Sequence, residues 1–577
     1  MQSFFKRICV VGGNSMNQIS RRLSFGSSSC ESLKKFPMAQ RLTVAAIVFL
    51  VLGVVALLVG VCTLAVTPLI VKNTILGMVQ IAPNSDSLQR WAFPDAKLAV
   101  QYWFYDVKNS KEIMKSGAMP MVEQIGPFGF SETLVRKHLE FLNDSTVVQY
   151  ENYKGAFYEP QLSCVNCSLQ DNITVPSVVY MALADLLRSA GPLERAGADG
   201  TALLLKRTAF VEQTADELLY KGYADILLTL GSFIKKGMQK RAGFFYGKNN
   251  TSDGVCRMRT GVDGDYADFG RILSYKYSDS LPRNWWLDRR ARMINGTDGG
   301  VFRPFITKDM KLPIFVTGIC RSVYLEYQKT VDFNGISAFR FVLPKEIFNP
   351  HLPENRGFCV SAKDRYFEHQ NATDCLPPGF LDISNCQPGN APIVMSFPHF
   401  LYAPEAAYRN ISGLTEPDET EDITTIDIEP TTGLMLAVSQ KLQINIPLHR
   451  ADYLHSLRNV SNMIVPVLWL NETVTASEAT VAQLKHDLVR PERISKILGW
   501  TFIAVGLCVS VGCALFLAAE VWQHKVIADK EARDRSDSAN SSNPLAPGAD
   551  DSTAHSEAYA NPLAEESDDA GDPTIPS

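Results

Sequence analysis

Residues 42–71 (LTVAAIVFLVLGVVALLVGVCTLAVTPLIV) contain no charged side chain, and neither do residues 497–519 (ILGWTFIAVGLCVSVGCALFLAA). Each exceeds or matches the roughly 20 apolar residues that cross a hydrocarbon core about 30 Å thick. A central Asp or Lys would cost about 2.5–3.5 kcal/mol on insertion, and neither stretch has one. The first stretch, bounded by Arg41 and Lys72, is longer than a span needs, so its membrane part is expected to end near Pro68. It is too long for a signal-peptide apolar region and shows no small-residue cleavage site, so it reads as an uncleaved signal anchor. Two crossings put both termini on one side and the 425 residues 72–496 on the other.

Residues 1–41 hold seven Lys or Arg and a single acid, Glu31, which favours a cytosolic N-terminal arm. Charge around the second stretch is balanced and gives no direction. Sequons decide the matter. Asn143, Asn166, Asn172, Asn249, Asn250, Asn295, Asn371, Asn410, Asn459 and Asn471 each begin Asn-x-Ser/Thr, and all ten lie between the two stretches. Ten in one segment are better explained by exposure to the glycosylating lumen than by chance. Asn540 also begins a sequon but falls on the cytosolic side. Seven of the twelve cysteines share the sequon-bearing segment: Cys164, Cys167, Cys256, Cys320, Cys359, Cys375 and Cys386. An oxidising compartment pairs most of them, and an odd number leaves one over.

The net charge of −5 conceals an asymmetry. The arm 1–41 is basic and rich in Ser and Gly, suited to disorder against anionic lipid heads. Residues 520–577 form an acidic tail rich in Ser, Ala, Pro and Asp, with too little apolar surface for a core, and are expected to be disordered. The tail repeats NPLA at 543–546 and 561–564; a linear motif for a sorting adaptor and low-complexity drift explain this equally well. No linker divides residues 72–496, which read as strands interrupted by a helical insert at about 177–237. Leu442, Ile444 and Ile446 alternate with Gln443 and Asn445, the period of a half-buried strand. Residues 147–157 and 339–343 also look extended. Thr214 and Glu217 make a capping box. Leu219, Tyr223, Ile226, Leu230 and Phe233 follow it at the spacing of one apolar helix face. Residues 177–188 form a second apolar helix.

No catalytic signature stands out. The chain lacks Gly-x-Ser-x-Gly, HExxH, a phosphate loop and paired zinc-ligand spacing, and its nine His are scattered. Asp263, Asp265 and Asp268 resemble part of a calcium loop without its distal bidentate acid, so a solvated turn is the plainer reading. Cys164-x-x-Cys167 encloses a sequon at Asn166 and lacks a βαβ context. A structural bridge among Cys164, Cys167 and Cys256 is therefore expected, with no cofactor, metal or nucleic-acid partner.

Several strings carry a resemblance: MINGTDGGVFRPF (293–305), ICRSVY (319–324), GISAFRFVLP (335–344), GFLDISNC (379–386), APIVMSFPHFLYA (391–403), DIEPTTG (427–433) and IVPVLWLNET (464–473). With Trp91, Phe104, Asn109, Pro120, Glu123, Gly126, Pro127 and TADELLYKGYADILL (214–228), they resemble the class B scavenger receptors over about residues 70–520. The resemblance implies a two-pass membrane protein whose ectodomain is an antiparallel β-barrel carrying a small helical apex bundle. It implies a receptor rather than an enzyme, taking lipid, lipoprotein or protein ligands at the apex and passing apolar cargo through an internal tunnel. It pairs Cys320 with Cys386 and Cys359 with Cys375. A further family bridge is missing, because Ala291 and Gly357 occupy its places. The cysteine set, with GKNNTSDG (247–254), is similar to that of the lysosomal member. The chain departs from that member in lacking an acidic dileucine and any His between Ser177 and Gly237. Arg188, Arg195, Lys206, Arg207, Lys235 and Lys236 fall near the expected apex, where they make either a cationic ligand surface or a solvated helix face. Plasma membrane and lysosomal or endosomal membrane both remain open as locations.

Overall fold

A computed structural model describes residues 38–234, 239–368, 370 and 374–540. The N-terminal arm up to residue 37, Lys235, Lys236, Asn371 and both NPLA repeats lie outside the described residues. Among the described residues the strands are, in chain order, β1 (Ala96–Val107), β2 (Val122–Leu142), β3 (Val147–Tyr158), β4 (Asn172–Pro176), β5 (Phe210–Thr214) and β6 (Tyr223–Ala224). There follow β7 (Arg241–Ala242), β8 (Thr251–Arg259), β9 (Ile272–Tyr275), β10 (Leu312–Val316), β11 (Arg321–Phe333) and β12 (Ile336–Val342). The last are β13 (Phe380–Asp382), β14 (Val394–Ser396), β15 (Thr425–Glu429), β16 (Leu434–Leu448) and β17 (Met463–Ala476).

One large sheet runs β10-β11-β12-β15-β16-β17-β1-β2-β3-β8-β9, antiparallel at every step. Local chemistry sets its turns. Phe333 pairs with Ile336 across Asn334-Gly335, both with positive φ (51° and 81°), the two-residue connection that matches strand twist. The outer strands β9 and β10 are joined by the segment 293–300. Ile272 N–H donates to the Gly296 carbonyl (2.8 Å), Thr297 N–H to the Pro313 carbonyl (3.1 Å), and Phe315 N–H to the Thr297 carbonyl (2.8 Å). The sheet thereby curls into a nearly closed barrel, with this segment spanning the gap between its outer strands. Gly296 sits at φ +89°, and a Cβ there would lie 2.1 Å from the Pro313 oxygen. Only glycine allows the closing segment to approach so closely.

The chain divides into two compact units, Val61–Trp500 and the membrane-spanning remainder. Two helices are long and apolar enough to cross a membrane, within Leu42–Val79 and Glu478–Ser538. The first helix, Met38–Val79, runs through Pro68; neighbouring groups in spanning helices tolerate a proline. Within the spanning unit the helices touch through small residues. A Cβ on Gly506 would meet the Gly53 carbonyl at 2.6 Å, and one on Gly53 would meet Ser510 Oγ at 2.6 Å, the close approach that small residues permit. Thr43 Oγ1 donates to Glu520 Oε2 (2.7 Å).

Three sequence expectations need correction. The tail assigned to 520–577 is not disordered throughout, because the helix Arg490–Asn540 includes its first 21 residues. No Pro or Gly interrupts these residues, so they continue a helix once the span has nucleated it. The β16 alternation does not mark a half-buried strand, since Gln443 and Asn445 are as buried as Ile444 and Ile446. The β13–β14 hairpin covers the second face, with β14 paired to β16. Asn445 Nδ2 donates to Val394 O and Ser396 Oγ (3.0 Å each), and Gln443 Oε1 accepts from His399 N (2.8 Å). The insert at 177–237 is not all helical. Its helices Val178–Leu187 and Pro192–Leu204 precede β5, which pairs with β4. The Thr214–Glu217 capping box forms, with Glu217 N–H donating to Thr214 Oγ1 (3.3 Å) and Glu217 Oε2 accepting from Thr214 N–H (3.4 Å). The turn it starts, Glu217–Lys221, stops at Gly222, whose φ is +70°. A new helix begins at Ile226, so the apolar face expected from Leu219 to Phe233 is split. A glycine at positive φ outweighs apolar spacing.

Candidate functional site: a cavity inside the barrel

Inside the barrel unit is a cavity of about 1040 Å³, at the upper end of the roughly 300–1,000 Å³ of small-molecule sites. The period-two geometry of strands builds it. Leu98, Val100 and Tyr102 of β1 face it, as do Val438, Gln440, Leu442 and Ile444 of β16 and Leu470, Glu472 and Val474 of β17. Val71, Ile75 and Met78 from the first helix and Leu484 and Leu488 from the approach to the second complete part of the wall. The lining is predominantly aliphatic and aromatic.

Two charged clusters interrupt this apolar wall. In the first, Lys154 of β3 donates to Glu472 Oε1 of β17 at 2.6 Å, while Glu132 Oε2 of β2 stands 3.9 Å from the same ammonium. Tyr102 and Tyr220 share a hydroxyl–hydroxyl bond of 2.7 Å, and both rings also line the cavity. The Glu132 side chain is only 3% exposed. Burial raises its pKa, Lys154 lowers it and Glu472 raises it, and together they push it up to about 7 from the ordinary 4.5. Burial opposes the Lys154 charge, but the two carboxylates hold its pKa above the usual lysine value.

The second cluster fixes the closing segment. Arg136 of β2 bonds Asp298 Oδ2 at 2.9 Å and donates to the Trp91 carbonyl at 2.5 Å. Tyr150 of β3 donates to the same Asp298 oxygen at 2.9 Å, and Gly300 N–H to the other at 2.9 Å. Burial alone would push the Asp298 carboxyl up, but Arg136, with the Gly300 and Tyr150 bonds, holds it below the ordinary range. The Arg136 guanidinium also lies 4.8 Å from the Trp91 ring centroid.

Neither cluster was recognised in the sequence. The available signal was strand phase: Glu132, Lys154 and Glu472 each sit in register with apolar residues of the same face. A charge in the inward phase of a buried strand must be paired or functional. Finding it required knowing which phase faces inward.

Of the four described basic residues expected to form a cationic surface, two are engaged with partners. Arg188 bonds Asp364 (2.6 and 3.2 Å) and Asp185 (3.3 Å). Arg195 donates to the carbonyls of Leu187 (2.9 Å) and Arg188, and lies over the Tyr453 ring. Arg207 is half-buried and Lys206 is exposed. None of these four lines the cavity. Asp364, 176 residues away, joins Asp185 of the same helix in neutralising Arg188, and spacing along one helix could not reveal it. Among the described residues of the insert, Leu193 and Leu204 are 87% and 85% exposed.

Disulfides join Cys320 to Cys386, Cys359 to Cys375 and Cys164 to Cys167. Cys256 takes no part in the third bridge; it is a buried thiol whose pKa burial pushes up to about 12. Ala291 and Gly357 are neighbours, since a Cβ on Gly357 would lie 2.8 Å from the Ala291 Cβ. Asn143, Asn166, Asn172, Asn250, Asn295, Asn410 and Asn459 are exposed, and Asn471 is half-buried. Asn249 is exposed too, but its amide bonds both Ala156 N–H and Ala156 C=O at 2.9 Å. Asp263 and Asp268 pair with Arg259 and Arg271 (3.0 Å each). Among the described residues no group of His, Cys, Asp and Glu is placed to hold a metal.

The pH dependence of the first cluster can be measured. The Glu132 carboxyl keeps its proton in the fold at pH values where the unfolded chain has lost it. The stability this confers is present in full below the ordinary 4.5 and disappears as pH climbs to about 7. The lost contribution is up to about 3 kcal/mol at 1.36 kcal/mol per unit. Melting temperature should therefore fall more steeply over that window in the parent than in Glu132→Gln. Parallel profiles would remove Glu132 as the source.

The CD36 family model matches residues 51–517. The chain is 32% identical over 465 residues to lysosome membrane protein 2 of Rattus norvegicus, covering 80% of this chain and 91% of that protein. It is 31% identical to lysosome membrane protein 2 of Homo sapiens, covering 76% and 87%. It is 29% identical over 469 residues to scavenger receptor class B member 1 of Cricetulus griseus, covering 79% and 86%. Membrane-length helices that flank a nearly closed antiparallel barrel in the sequence accompany a family match over most of the chain. This protein belongs to the CD36 family of class B scavenger receptors, which are lipid-binding membrane receptors rather than enzymes.

Proposed function

We propose that the barrel unit takes up apolar cargo, a fatty acid, sterol or phospholipid delivered free or in lipoprotein, and passes it through its interior to the bilayer that holds the two helices. The observation that carries this reading is the cavity of about 1040 Å³, with its mainly apolar lining. Such a space suits cargo that needs shelter from water and no chemistry. The lining includes turns of the first helix, Val71 and Ile75, so the wall is continuous along the chain with a spanning segment. In this reading both termini are cytosolic and the sequon-bearing barrel is lumenal or extracellular. Full-length protein should bind labelled fatty acid or cholesteryl ester saturably, and cells producing it should take up the label. Filling the cavity with Leu442→Trp and Leu470→Trp should cut that uptake at least fivefold at unchanged surface level. Absence of saturable binding in the parent would defeat the proposal.

The identity to lysosome membrane protein 2 supports a second reading. In it the chain works in lysosomal or endosomal membrane, with a protein ligand on the helical insert and a sorting adaptor on the acidic tail. The cysteine pattern shared with the family's lysosomal member is part of this proposal. Imaging tagged chains with and without the tail distinguishes the two, because retention at the cell surface counts against the vesicular role.

A further inference from the structure

We infer that Glu132, Lys154 and Glu472 form the polar end of the cavity's binding site and select an uncharged lipid carrying a hydroxyl over a free fatty-acid anion. This rests on the lipid-carrier reading above and adds what that reading leaves open, the chemistry of the cargo's polar end. Glu132 Oε2 is buried without a hydrogen-bond partner, and so is Asn152 Oδ1, two residues before Lys154 on the same face of β3. Both are acceptors, whereas the unpartnered donors of the lining, Trp91 Nε1 and Arg136 Nε, lie with the second cluster. The 3.9 Å between Glu132 Oε2 and Lys154 Nζ is too long for a direct hydrogen bond. A ligand hydroxyl placed there accepts from the ammonium and donates to the carboxylate, because a hydroxyl does both. A carboxylate ligand only accepts, and it would leave Glu132 unpartnered.

Charge points the same way. One ammonium stands against two carboxylates, and it is already bonded to Glu472 at 2.6 Å. A third carboxylate would bring a second excess negative charge into a wall of low polarity, where like charges interact strongly. Discrimination of this kind comes from a repulsive element as much as from an attractive one. Beside the cluster, Tyr102 and Tyr220 bond each other at 2.7 Å, and Gln440 stands opposite Glu472 in the β16–β17 register.

The test uses full-length protein in detergent at pH 8 with three labelled probes: oleate, 1-oleoylglycerol and cholesterol. The first two share an acyl chain and differ at the polar end, and the third presents a hydroxyl on a different skeleton. The parent should bind 1-oleoylglycerol at least tenfold tighter than oleate. Cholesterol binding alongside it would show that the hydroxyl, not the glycerol ester, is read. Glu132→Gln/Glu472→Gln leaves Lys154 as the only charge of this cluster and should reverse the preference toward oleate by at least tenfold. Glu132→Gln alone should shift the ratio in the same direction. The readout is a ratio within one sample, so partial misfolding of a variant does not mimic it. Equal binding of oleate and 1-oleoylglycerol by the parent, or a ratio unchanged in both variants, overturns the inference while leaving the carrier reading intact. Failure of the parent to bind any of the three overturns both.

Discussion

Asp298→Ala should destabilise the barrel unit by about 3–5 kcal/mol, the usual result of removing one member of a buried ion pair. The Arg136 guanidinium, with a side chain only 2% exposed, would keep its bond to the Trp91 carbonyl but lose its counter-charge. Tyr150 and Gly300 would lose their acceptor at the same time. The consequence extends beyond the pair, because Asp298 belongs to the segment that joins β9 to β10. Thr297, its neighbour, carries two of the closing bonds. Loosening this segment opens a seam in the barrel wall, so the cavity should lose lipid retention along with stability. Chemical denaturation of the parent and of Asp298→Ala measures the first effect. Replacing both partners with apolar residues, Arg136→Met with Asp298→Leu, should recover part of the loss, since two matched apolar groups leave no buried charge unpaired. An Asp298→Ala protein that unfolds at the parent's midpoint would show that the pair does not hold the closure.

Cys320→Ser/Cys386→Ser should cost about 4 kcal/mol, because the bridge closes a loop of 66 residues whose freedom returns to the unfolded chain. The second bridge, Cys359–Cys375, lies within that loop and closes only 16 residues, for which the same relation gives about 3 kcal/mol. The double variants should therefore rank in that order in denaturation midpoint and in yield of mature protein. The Cys320 carbonyl also accepts from Trp286 Nε1 at 2.6 Å, so local order around Cys320 should suffer too. Changing both cysteines together avoids an orphan thiol. A Cys320→Ser/Cys386→Ser protein that matures and melts like the parent would refute the assignment.

The membrane segments were legible in the sequence because their signal is local. Twenty or more consecutive residues without charge need no knowledge of the rest of the fold, and helices occupy both places. Extended segments at 147–157 and 339–343 could be read for the same reason, and they fall within or across β3 and β12. The insert was harder. Its apolar spacing from Leu219 to Phe233 fits one helix face, but Gly222 at φ +70° ends the first turn. The spacing of side chains says nothing about the backbone conformation a glycine will adopt. Arg188 illustrates another limit, since its partner Asp364 lies 176 residues away. Its charge was visible in the sequence and its neutralisation was not.

By itself the sequence determined two crossings, a sequon-bearing segment between them and a family resemblance strong enough to imply a barrel. Those features depend on composition and on strings of adjacent residues. Only the tertiary structure decided which strand phase faces inward and that residues 293–300 close the wall. It likewise brought Glu132, Lys154 and Glu472 from three strands to one face of a cavity. The physical reason is that a strand's alternation leaves the choice of face undecided until the sheet curls. A cluster assembled across β2, β3 and β17 exists only once registers such as Leu134 with Lys154 are set. The long apolar segments attach this protein to the bilayer, and the closed sheet gives it an interior with charges in it.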